Sequence, residues 1–235
     1  MIPLKDLTSR RSFPTVTLVL IAVNVVVFLH QLSLSPAAGE AFVRAYGLVP
    51  YKISLALAGR RYTVAEAFSP LFTCMFLHGG FLHLIGNMWF LWVFGANVED
   101  RLGSLPYLLF YLAAGVGSSI AQTLFSWGSH VPSIGASGAI SGVLGAYIVF
   151  FPSSRILTLV PLLVIWFLGR IPAVVFIGLW FVMQFLSGVS SLGSQSVGGV
   201  AWWAHVGGFL MGVVLALIVR AAGGRTHRST PSYYC

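Results

Sequence analysis

Two polar residues lie inside hydrophobic sequence, where their side chains could carry out chemistry. Ser137 belongs to the small-residue stretch G-A-S-G at residues 135–138, and His205 belongs to A-H-V-G-G at residues 204–208. A hydroxyl and an imidazole are the minimum parts of an activated nucleophile. A polar or ionisable side chain at membrane depth is costly, so its presence there indicates a function. The pair predicts a serine nucleophile that hydrolyses its substrate inside a bilayer.

A second polar pair, His83 and Asn87, is spaced four residues apart and therefore shares one face of a helix. A neutral imidazole N–H and an amide are both donors, as the stabilisation of an oxyanion requires. The main-chain N–H of Ser137, at a helix N-terminus, could add a third donor. The alternative is that both side chains only bind neighbouring helices, and for the pair in isolation that alternative is favoured. We interpret the nearby His78 as structural.

The acidic residues lie outside the hydrophobic segments, and this limits the chemistry. The chain has five of them: Asp6, Glu40, Glu66, Glu99 and Asp100. A Ser-His-Asp triad needs a buried carboxylate against the second imidazole nitrogen. We therefore predict a dyad of Ser137 and His205, whose ring is oriented by packing or by a main-chain or hydroxyl group. The same shortage argues against an aspartyl protease, which needs two aspartates within the membrane.

Metal binding is the weaker alternative for the histidines. A zinc protease of the common type would carry H-E-x-x-H, which this sequence lacks. His78, His83 and His205 could be imagined as a three-histidine site. They lack the spacing of a metal motif, and no carboxylate or thiolate is placed to assist them. We expect neither a metal nor a cofactor.

The composition of the 235-residue chain is that of a membrane protein. Hydrophobic residues make up 57% of the sequence and charged residues 8%, with a mean hydropathy of +0.91. A soluble domain carries nearer to about 25% charged residues. The net charge is +8, but the cations punctuate apolar segments instead of clustering among polar and aromatic residues. This pattern is typical of topogenic charges and argues against nucleic-acid binding.

Six hydrophobic segments predict an all-α membrane protein with six transmembrane helices. They cover residues 15–32, 81–98, 105–125, 136–151, 172–186 and 200–221. We expect three regions in all: an N-terminal segment at 1–14, a six-helix domain at 15–221 and a basic tail at 222–235.

Two connecting segments need their own interpretation. Residues 33–73 mix charged and apolar side chains over a length that is unusual for a structureless loop, so we expect short amphipathic helices at the interface. Residues 156–170 are apolar but are divided by Pro161 and Gly169. We expect this second segment to be interfacial or re-entrant.

The positive residues predict the orientation of the spans. In a six-span topology, one side receives Lys5, Arg10, Arg11, Arg101, Arg155, Arg170, Arg220, Arg225 and Arg228. The other side receives Arg44, Lys52, Arg60 and Arg61, all in the long first loop. Both termini are therefore predicted to be cytoplasmic. The short basic N-terminus lacks an Arg/Ser-rich transit segment, which favours a bacterial cytoplasmic membrane over an organelle.

Small residues predict how the two halves of the dyad meet. Gly138 and Gly142 form a G-x-x-x-G pair on the fourth span, and Gly208 and Gly212 form another on the sixth. Such stripes allow helix backbones to approach closely in lipid, although ordinary packing is the usual reason for them. If the two helices pack together, His205 can face Ser137. The fourth apolar stretch is only about 25 Å long as a helix, so we expect the preceding loop to dip into the bilayer.

In three blocks the chain resembles the rhomboid intramembrane serine proteases. The blocks are H-x-x-x-x-H-x-x-x-N-M at residues 78–88, G-A-S-G at 135–138 and A-H-x-x-G-x-x-x-G at 204–212. They follow the order and spacing of the family. The resemblance implies Ser137 as nucleophile, His205 as general base and acid, and His83 and Asn87 as oxyanion donors. It also implies a six-helix rhomboid-like bundle in the lipid bilayer that cleaves single-span transmembrane proteins near their outer ends.

Two departures from the family pattern matter. Many members carry Trp-Arg in the first loop, where this chain has A-F-S-P at residues 67–70, so the anchoring of that loop stays open. Some members place an aromatic residue four positions after the nucleophile, stacked on the catalytic imidazole. Here that position is Ser141. The orientation of the His205 ring must then come from elsewhere, for which a hydroxyl is one source.

Two other functions compete with proteolysis. The first is a non-catalytic rhomboid-like protein that binds membrane proteins in trafficking or quality control. The second is a small transporter, which would show internal repeat symmetry that is not apparent here. Inactive relatives lack the serine or the histidine, whereas this chain retains both Ser137 and His205. A protease with a lateral opening near the second and fifth spans, where Trp180 and Phe181 lie, is the leading hypothesis.

Overall fold

The chain folds into a bundle of helices with one small sheet at its end. The computed structural model describes residues 1–162, 165–192 and 200–223. The helices are α1 (Thr15–Ser33), α2 (Pro36–Tyr46), α3 (Pro50–Leu57), α4 (Val64–Phe68), α5 (Pro70–Thr73), α6 (Phe81–Phe90), α7 (Ala96–Leu102), α8 (Ser104–Phe125), α9 (Ser137–Phe150), α10 (Ala173–Ser191) and α11 (Trp202–Ala222). The strands are β1 (Ile2–Asp6), β2 (Arg155–Leu162) and β3 (Ile165–Pro172). The predicted basic tail lies outside the described residues from residue 224 onward, and so do residues 193–199.

Five helices within the described ranges are long and apolar enough to cross a membrane. They are Thr15–Ser33, Phe81–Leu102, Ser104–Phe125, Ala173–Ser191 and Trp202–Ala222. The second of these runs from α6 into α7 through one wide turn of π-helix at Leu91–Gly95. The chain is therefore a multi-pass membrane protein with a mainly helical bundle. α10 continues to Ser191, five residues beyond the predicted end of its span at residue 186.

The remaining apolar helix, α9, is short and occupies the centre of the bundle. Its 14 residues extend about 21 Å, which is less than the roughly 30 Å of a bilayer core. Every residue from Gly138 to Tyr147 is buried. A helix that is apolar all round and this short is stable in the interior of a bundle, where other helices cover all of its faces.

Glycines allow α11 to lie directly against α9. A Cβ added to Gly208 would lie 2.0 Å from the carbonyl oxygen of Gly138, and one added to Gly212 would lie 2.0 Å from that of Gly142. Real Cβ atoms do not approach a carbonyl so closely, so the two backbones are in contact along this line. The structure thus brings the two G-x-x-x-G stripes together.

The long first loop folds as the short helices α2 to α5, in agreement with the sequence prediction. A capping box between Thr63 and Glu66 begins α4. The loop is anchored to the segment before α9 by paired backbone hydrogen bonds between Leu48 and Ser133, of 3.0 and 2.8 Å. Leu48 itself is buried and belongs to a small apolar cluster under the loop. The loop is therefore anchored by main-chain hydrogen bonds and an apolar cluster, in a chain that has A-F-S-P at residues 67–70.

Residues 156–162 and 165–170, for which we expected an interfacial or re-entrant segment, lie in the two strands of a β-hairpin, a structure that the sequence did not predict. β2 pairs with β3 on one side and with the N-terminal strand β1 on the other, and all pairings are antiparallel. Pairing satisfies backbone groups that an irregular segment would leave exposed. Pro161 is compatible with the strand because the pairing with β1 ends at Leu159, so β2 is an edge strand at that position.

Three carboxylates, Asp6, Glu99 and Asp100, hold the end of the bundle where the sheet lies, and we call them the carboxylate cluster. Glu99 is 1% exposed and accepts hydrogen bonds of 2.8–2.9 Å from the N–H groups of Val16 and Thr17 and from two hydroxyls. Those N–H groups open α1, so the carboxylate also complements the positive end of the helix. Asp100 accepts from the backbone before α1, and Asp6 ties β1 to the bundle.

Candidate active site

The hydroxyl of Ser137 and the imidazole of His205 are in direct contact. Ser137 Oγ lies 2.8 Å from His205 Nε2. The two residues are 68 positions apart in the chain and are brought together by the packing of α9 against α11. Each lies in the first turns of its helix, so both side chains lie at the same end of the bundle. The distance is that of a nucleophile and its base.

The start of α9 is shaped by Gly135. This residue has φ +126°, a conformation that L side chains rarely adopt, and its N–H donates to the carbonyl of Cys74 at 2.9 Å. α9 then begins at Ser137, whose N–H belongs to the first turn and has no acceptor within the helix. One turn later, the Ser141 hydroxyl donates to the Ser137 carbonyl at 2.6 Å. Ser141 therefore braces the backbone of Ser137 and does not contact the His205 ring through this bond.

The second nitrogen of the His205 ring contacts a residue that the sequence analysis did not single out. His205 Nδ1 lies 2.7 Å from Oε1 of Gln184, a buried side chain on α10. The sequence signal was present, because Gln184 is the only amide in the fifth apolar segment and polar groups inside spans indicate function. Gln184 was not predicted because a carboxylate, a hydroxyl, a main-chain group or packing was expected to orient the ring.

His83 and Asn87 lie beside the start of α9. A Cβ added to Gly135 would lie 2.7 Å from His83 Nε2 and 3.7 Å from Asn87 Nδ2, so glycine is also required here for space. The Gly79 N–H donates to His83 Nδ1 at 3.4 Å, which leaves the hydrogen of a neutral ring on Nε2. Asn87 Nδ2 is buried and has no hydrogen-bond partner within the described part of the chain. Both side chains thus offer an N–H near Ser137.

These groups line one cavity of about 640 Å³. Its walls include Ser137 and His205, His83 and Asn87 from α6, and Trp180 from α10. Phe181, the neighbour of Trp180, instead packs on Phe209 of α11, with ring centroids 4.4 Å apart. None of the described residues that line the cavity is Asp, Glu, Lys or Arg. The site is an apolar cleft with a few convergent, uncharged polar groups.

His78, in the turn before α6, is buried and lies against His83, with ring centroids 5.2 Å apart. Its backbone is clamped by Gln31 of α1, which accepts from the His78 N–H at 3.0 Å and donates to its carbonyl at 3.2 Å. Burial, and secondarily the nearby His83, lower the pKa of His78 to about 4.

Within the described residues, no group of three His, Cys, Asp or Glu side chains is placed to hold a metal ion.

Comparison with known proteins gives consistent results. The Rhomboid domain model matches residues 65–222. Rhomboid protease GluP of Bacillus subtilis is 48% identical over 85 residues, which are 36% of this chain and 16% of that protein. RHOMBOID-like protein 6, mitochondrial, of Arabidopsis thaliana is 32% identical over 152 residues, with coverage of 63% and 43%. Rhomboid protein 1, mitochondrial, of Saccharomyces cerevisiae is 33% identical over 158 residues, with coverage of 63% and 40%.

The chain spans less than half the length of each of these relatives. The domain match, by contrast, covers about two thirds of this chain, and it includes α6, α9, α10 and α11, which supply the cavity and its polar groups. Since the matched region contains the complete cleft as well as most of the membrane bundle, the chain belongs to the rhomboid family.

Proposed function

We propose that this protein is an intramembrane serine endopeptidase that cleaves transmembrane segments of single-span membrane proteins. The observation that carries the proposal is the 2.8 Å contact between Ser137 Oγ and His205 Nε2 inside an apolar cavity. A hydroxyl becomes a useful nucleophile when a base takes its proton during attack. An ordinary buried serine would satisfy its hydroxyl on a backbone carbonyl, as Ser141 does.

In the first half of the reaction, Ser137 Oγ attacks the scissile carbonyl carbon as His205 Nε2 takes the hydroxyl proton. The carbonyl oxygen becomes an oxyanion, which the N–H groups of Asn87, His83 and Ser137 can bind. His205 then gives its proton to the leaving amine as the C–N bond breaks, leaving an acyl-enzyme. Donors already placed in a site without bulk water stabilise the oxyanion strongly because they need no reorganisation.

In the second half, a water molecule attacks the acyl carbon while His205 Nε2 takes its proton. The tetrahedral intermediate uses the same N–H donors and collapses as His205 returns the proton to Ser137 Oγ. The net reaction is hydrolysis of one peptide bond, with the enzyme unchanged. The chain's own polar groups supply each of these roles.

The position of the site bears on the substrate. Ser137 and His205 lie in the first turn of α9 and of α11, at the end of the bundle opposite to the carboxylate cluster. With both termini cytoplasmic, as the positive residues predict, cleavage takes place near the outer ends of substrate helices. A substrate helix must unwind to expose a peptide bond there, so the proposal includes a preference for segments of weak helix propensity. We place the protein in a bacterial cytoplasmic membrane.

The test is a cleavage assay with purified protein and a fluorogenic transmembrane substrate. Ser137→Ala and His205→Ala should each lower the rate by about 10⁴-fold or more, since neither half of the dyad works alone. Ser54→Ala and His30→Ala are matched controls in the first loop and at the end of α1, and they should retain activity. Equal cleavage rates for the wild type and both dyad variants would contradict the proposal.

A fluorophosphonate probe tests nucleophile activation without a substrate. The wild type should be labelled on Ser137, and labelling should disappear in His205→Ala. If the wild type binds transmembrane segments but is neither labelled nor able to cleave several of them, the non-catalytic binding function replaces the protease.

A further inference from the structure

Gln184 stands where a serine protease triad places its acid. It is on α10, its side chain is buried, and its Oε1 lies 2.7 Å from Nδ1 of His205. On the other side of the ring, Nε2 contacts Ser137 Oγ. Ser137, His205 and Gln184 therefore form a continuous chain of hydrogen bonds that draws on three separate helices.

The amide oxygen determines which ring nitrogen carries the hydrogen. An amide oxygen only accepts, so a short contact between Oε1 and Nδ1 requires the hydrogen on Nδ1. A neutral imidazole has one N–H, so Nε2 is then the acceptor and the Ser137 hydroxyl donates to it. This is the tautomer that a general base needs, because Nε2 must have a lone pair to take the serine proton.

Among the described residues, the other groups around the ring do not supply this contact. The rings of Trp180 and Trp202 lie 6.0 and 6.2 Å from the His205 ring between centroids, so they confine it by packing. The Ser141 hydroxyl is used on the Ser137 carbonyl. Packing can hold the plane of an imidazole, but it does not distinguish the two tautomers.

We propose that Gln184 is a positioning residue, which holds the His205 ring in the Nδ1–H tautomer through its amide oxygen. This inference rests on the proposed function. A neutral amide suits a buried position in a bilayer because an isolated carboxylate there carries a large desolvation cost. In exchange, the amide stabilises the imidazolium formed during attack less than an acid would. The dyad predicted from the absence of acids is thus completed by a third, uncharged residue.

The inference also explains why α10 is part of the site. Trp180 and Gln184 are four residues apart on this helix, so the same face of α10 forms a wall of the cavity and holds the imidazole. The position of α10 therefore fixes the geometry of the base. Substitution of Gln184 should act on the rate of the chemical step and leave substrate binding nearly unchanged.

Two substitutions at this position and one beside it test the proposal. Gln184→Met keeps the length of the side chain but removes the acceptor, and Gln184→Glu restores an oxygen at the same place. Met183→Leu changes an exposed neighbour on α10 and controls for general effects on that helix. Rates are divided by the amount of Ser137 that fluorophosphonate labels at the end point, so that an unfolded fraction does not count.

We expect Gln184→Met to lower kcat by about 10- to 100-fold with KM within about twofold. Gln184→Glu should recover most of this loss and move the acid limb of the pH–rate profile to higher pH, because a carboxylate favours the imidazolium. Met183→Leu should match the wild type. In ¹⁵N-histidine solid-state NMR, the His205 signal should report protonated Nδ1 in the wild type and a mixture of tautomers in Gln184→Met.

Two outcomes would overturn the inference while leaving the protease intact: a Gln184→Met enzyme with wild-type kcat, or a Gln184→Glu enzyme that is no better than Gln184→Met. Protonated Nε2 in the wild-type spectrum would do the same. A wild-type protein that neither cleaves nor is labelled would instead remove the proposed function on which this role depends.

Discussion

The two ends of the bundle solve the problem of buried polar groups in opposite ways. At the end that holds the cavity, the polar side chains are hydroxyls, imidazoles and an amide, and none of the described lining residues is Asp, Glu, Lys or Arg. At the other end, the carboxylate cluster accepts hydrogen bonds from helix N-termini, hydroxyls and the N-terminal segment. Both ends are built on the same helices, α6 with α7 and α9.

Burial alone does not account for the difference. Glu99 is 1% exposed, less than His205 at 8%, yet it is an acid. What Glu99 has is a full set of donors in a fixed arrangement, and these compensate for its lost hydration. The proposed reaction does not allow a fixed set at the site, because charge would appear and disappear there during peptide hydrolysis. Hydroxyls, imidazoles and amides with unused N–H donors suit such a cycle, whereas carboxylates that accept several fixed hydrogen bonds suit a purely structural role.

Substitution of two asparagines on one continuous span should give the largest difference between the two ends of the bundle. Asn87 lies at the site and Asn97 at the sheet end, and both are buried. Asn87 Nδ2 lacks a partner in the described structure, whereas Asn97 Nδ2 donates to Asp6. We expect Asn87→Ala to lower kcat by about 10²- to 10³-fold through loss of an oxyanion donor, with no loss of thermal stability. Cleavage rates and thermal unfolding in detergent measure the two effects.

Asn97→Ala is the matched control, and it should show the reverse pattern. Its melting temperature should fall because Asp6 loses a donor, while kcat per labelled Ser137 stays near that of the wild type. If Asn87→Ala instead lowered the melting temperature and left kcat unchanged, the division between a reactive end and a structural end would be wrong.

The second largest effect is expected at Glu99. Glu99→Ala removes a carboxylate that accepts four hydrogen bonds and leaves buried donors at the start of α1 without an acceptor. We expect the free energy of unfolding to fall by about 3 kcal/mol, with kcat of the folded fraction unchanged. Chemical unfolding in mixed micelles measures the loss. Glu99→Gln keeps one oxygen, which can accept two of these hydrogen bonds, so its free energy of unfolding should lie between those of the wild type and the alanine variant.

Much of the site could be predicted because membrane sequences offer few polar residues to choose from. Ser137, His205, His83 and Asn87 stand out against apolar spans, and the glycine stripes indicate which helices can meet. Gln184 is also a polar residue inside an apolar span, but it was not predicted because an amide was not considered as the group that orients the His205 ring. The lesson is that in a bilayer an amide is a physically reasonable substitute for a carboxylate.

The sheet could not be predicted for a different reason. Residues 156–169 are apolar except for Thr158, so they lack the alternation that distinguishes a half-buried strand from other apolar segments. Their pairing partner, β1, is more than 140 positions away, and its five residues carry no pattern of their own. Only the three-dimensional arrangement, with Trp89 donating to the carbonyl of Pro3, brings this strand into place.

The buried His78, at the end of the bundle that holds the cavity, should make the stability of the protein depend on pH. The folded pKa of His78, about 4, lies below the ordinary value of 6.5. The neutral ring therefore contributes its full stability above pH 6.5, and this contribution is lost as the pH falls toward 4. We expect a loss of about 2 kcal/mol at pH 5. Thermal unfolding of Ser137→Ala at several pH values measures it, and His78→Gln should flatten the slope. If stability changed equally with pH in Ser137→Ala with and without His78→Gln, the acid sensitivity would come from a group other than His78.

The smallest effect concerns the tyrosine that joins α9 to the N-terminal strand. The Tyr147 hydroxyl lies 2.6 Å from Asp6 Oδ2, so Tyr147→Phe removes one hydrogen bond to a carboxylate and should cost about 1–2 kcal/mol in unfolding free energy. Tyr111→Phe is the matched control, because the Tyr111 hydroxyl is buried without a partner in the described ranges, and its removal should be neutral or stabilising. Equal destabilisation by both variants would mean that the hydroxyls matter only as packing volume. If only Tyr147→Phe lowers the free energy of unfolding, and kcat is unchanged, the sheet end stabilises the bundle without taking part in the chemistry. The two ends of α9, 10 residues apart, would then have separate roles, because Ser137 at one end reacts and Tyr147 at the other only holds the N-terminal strand.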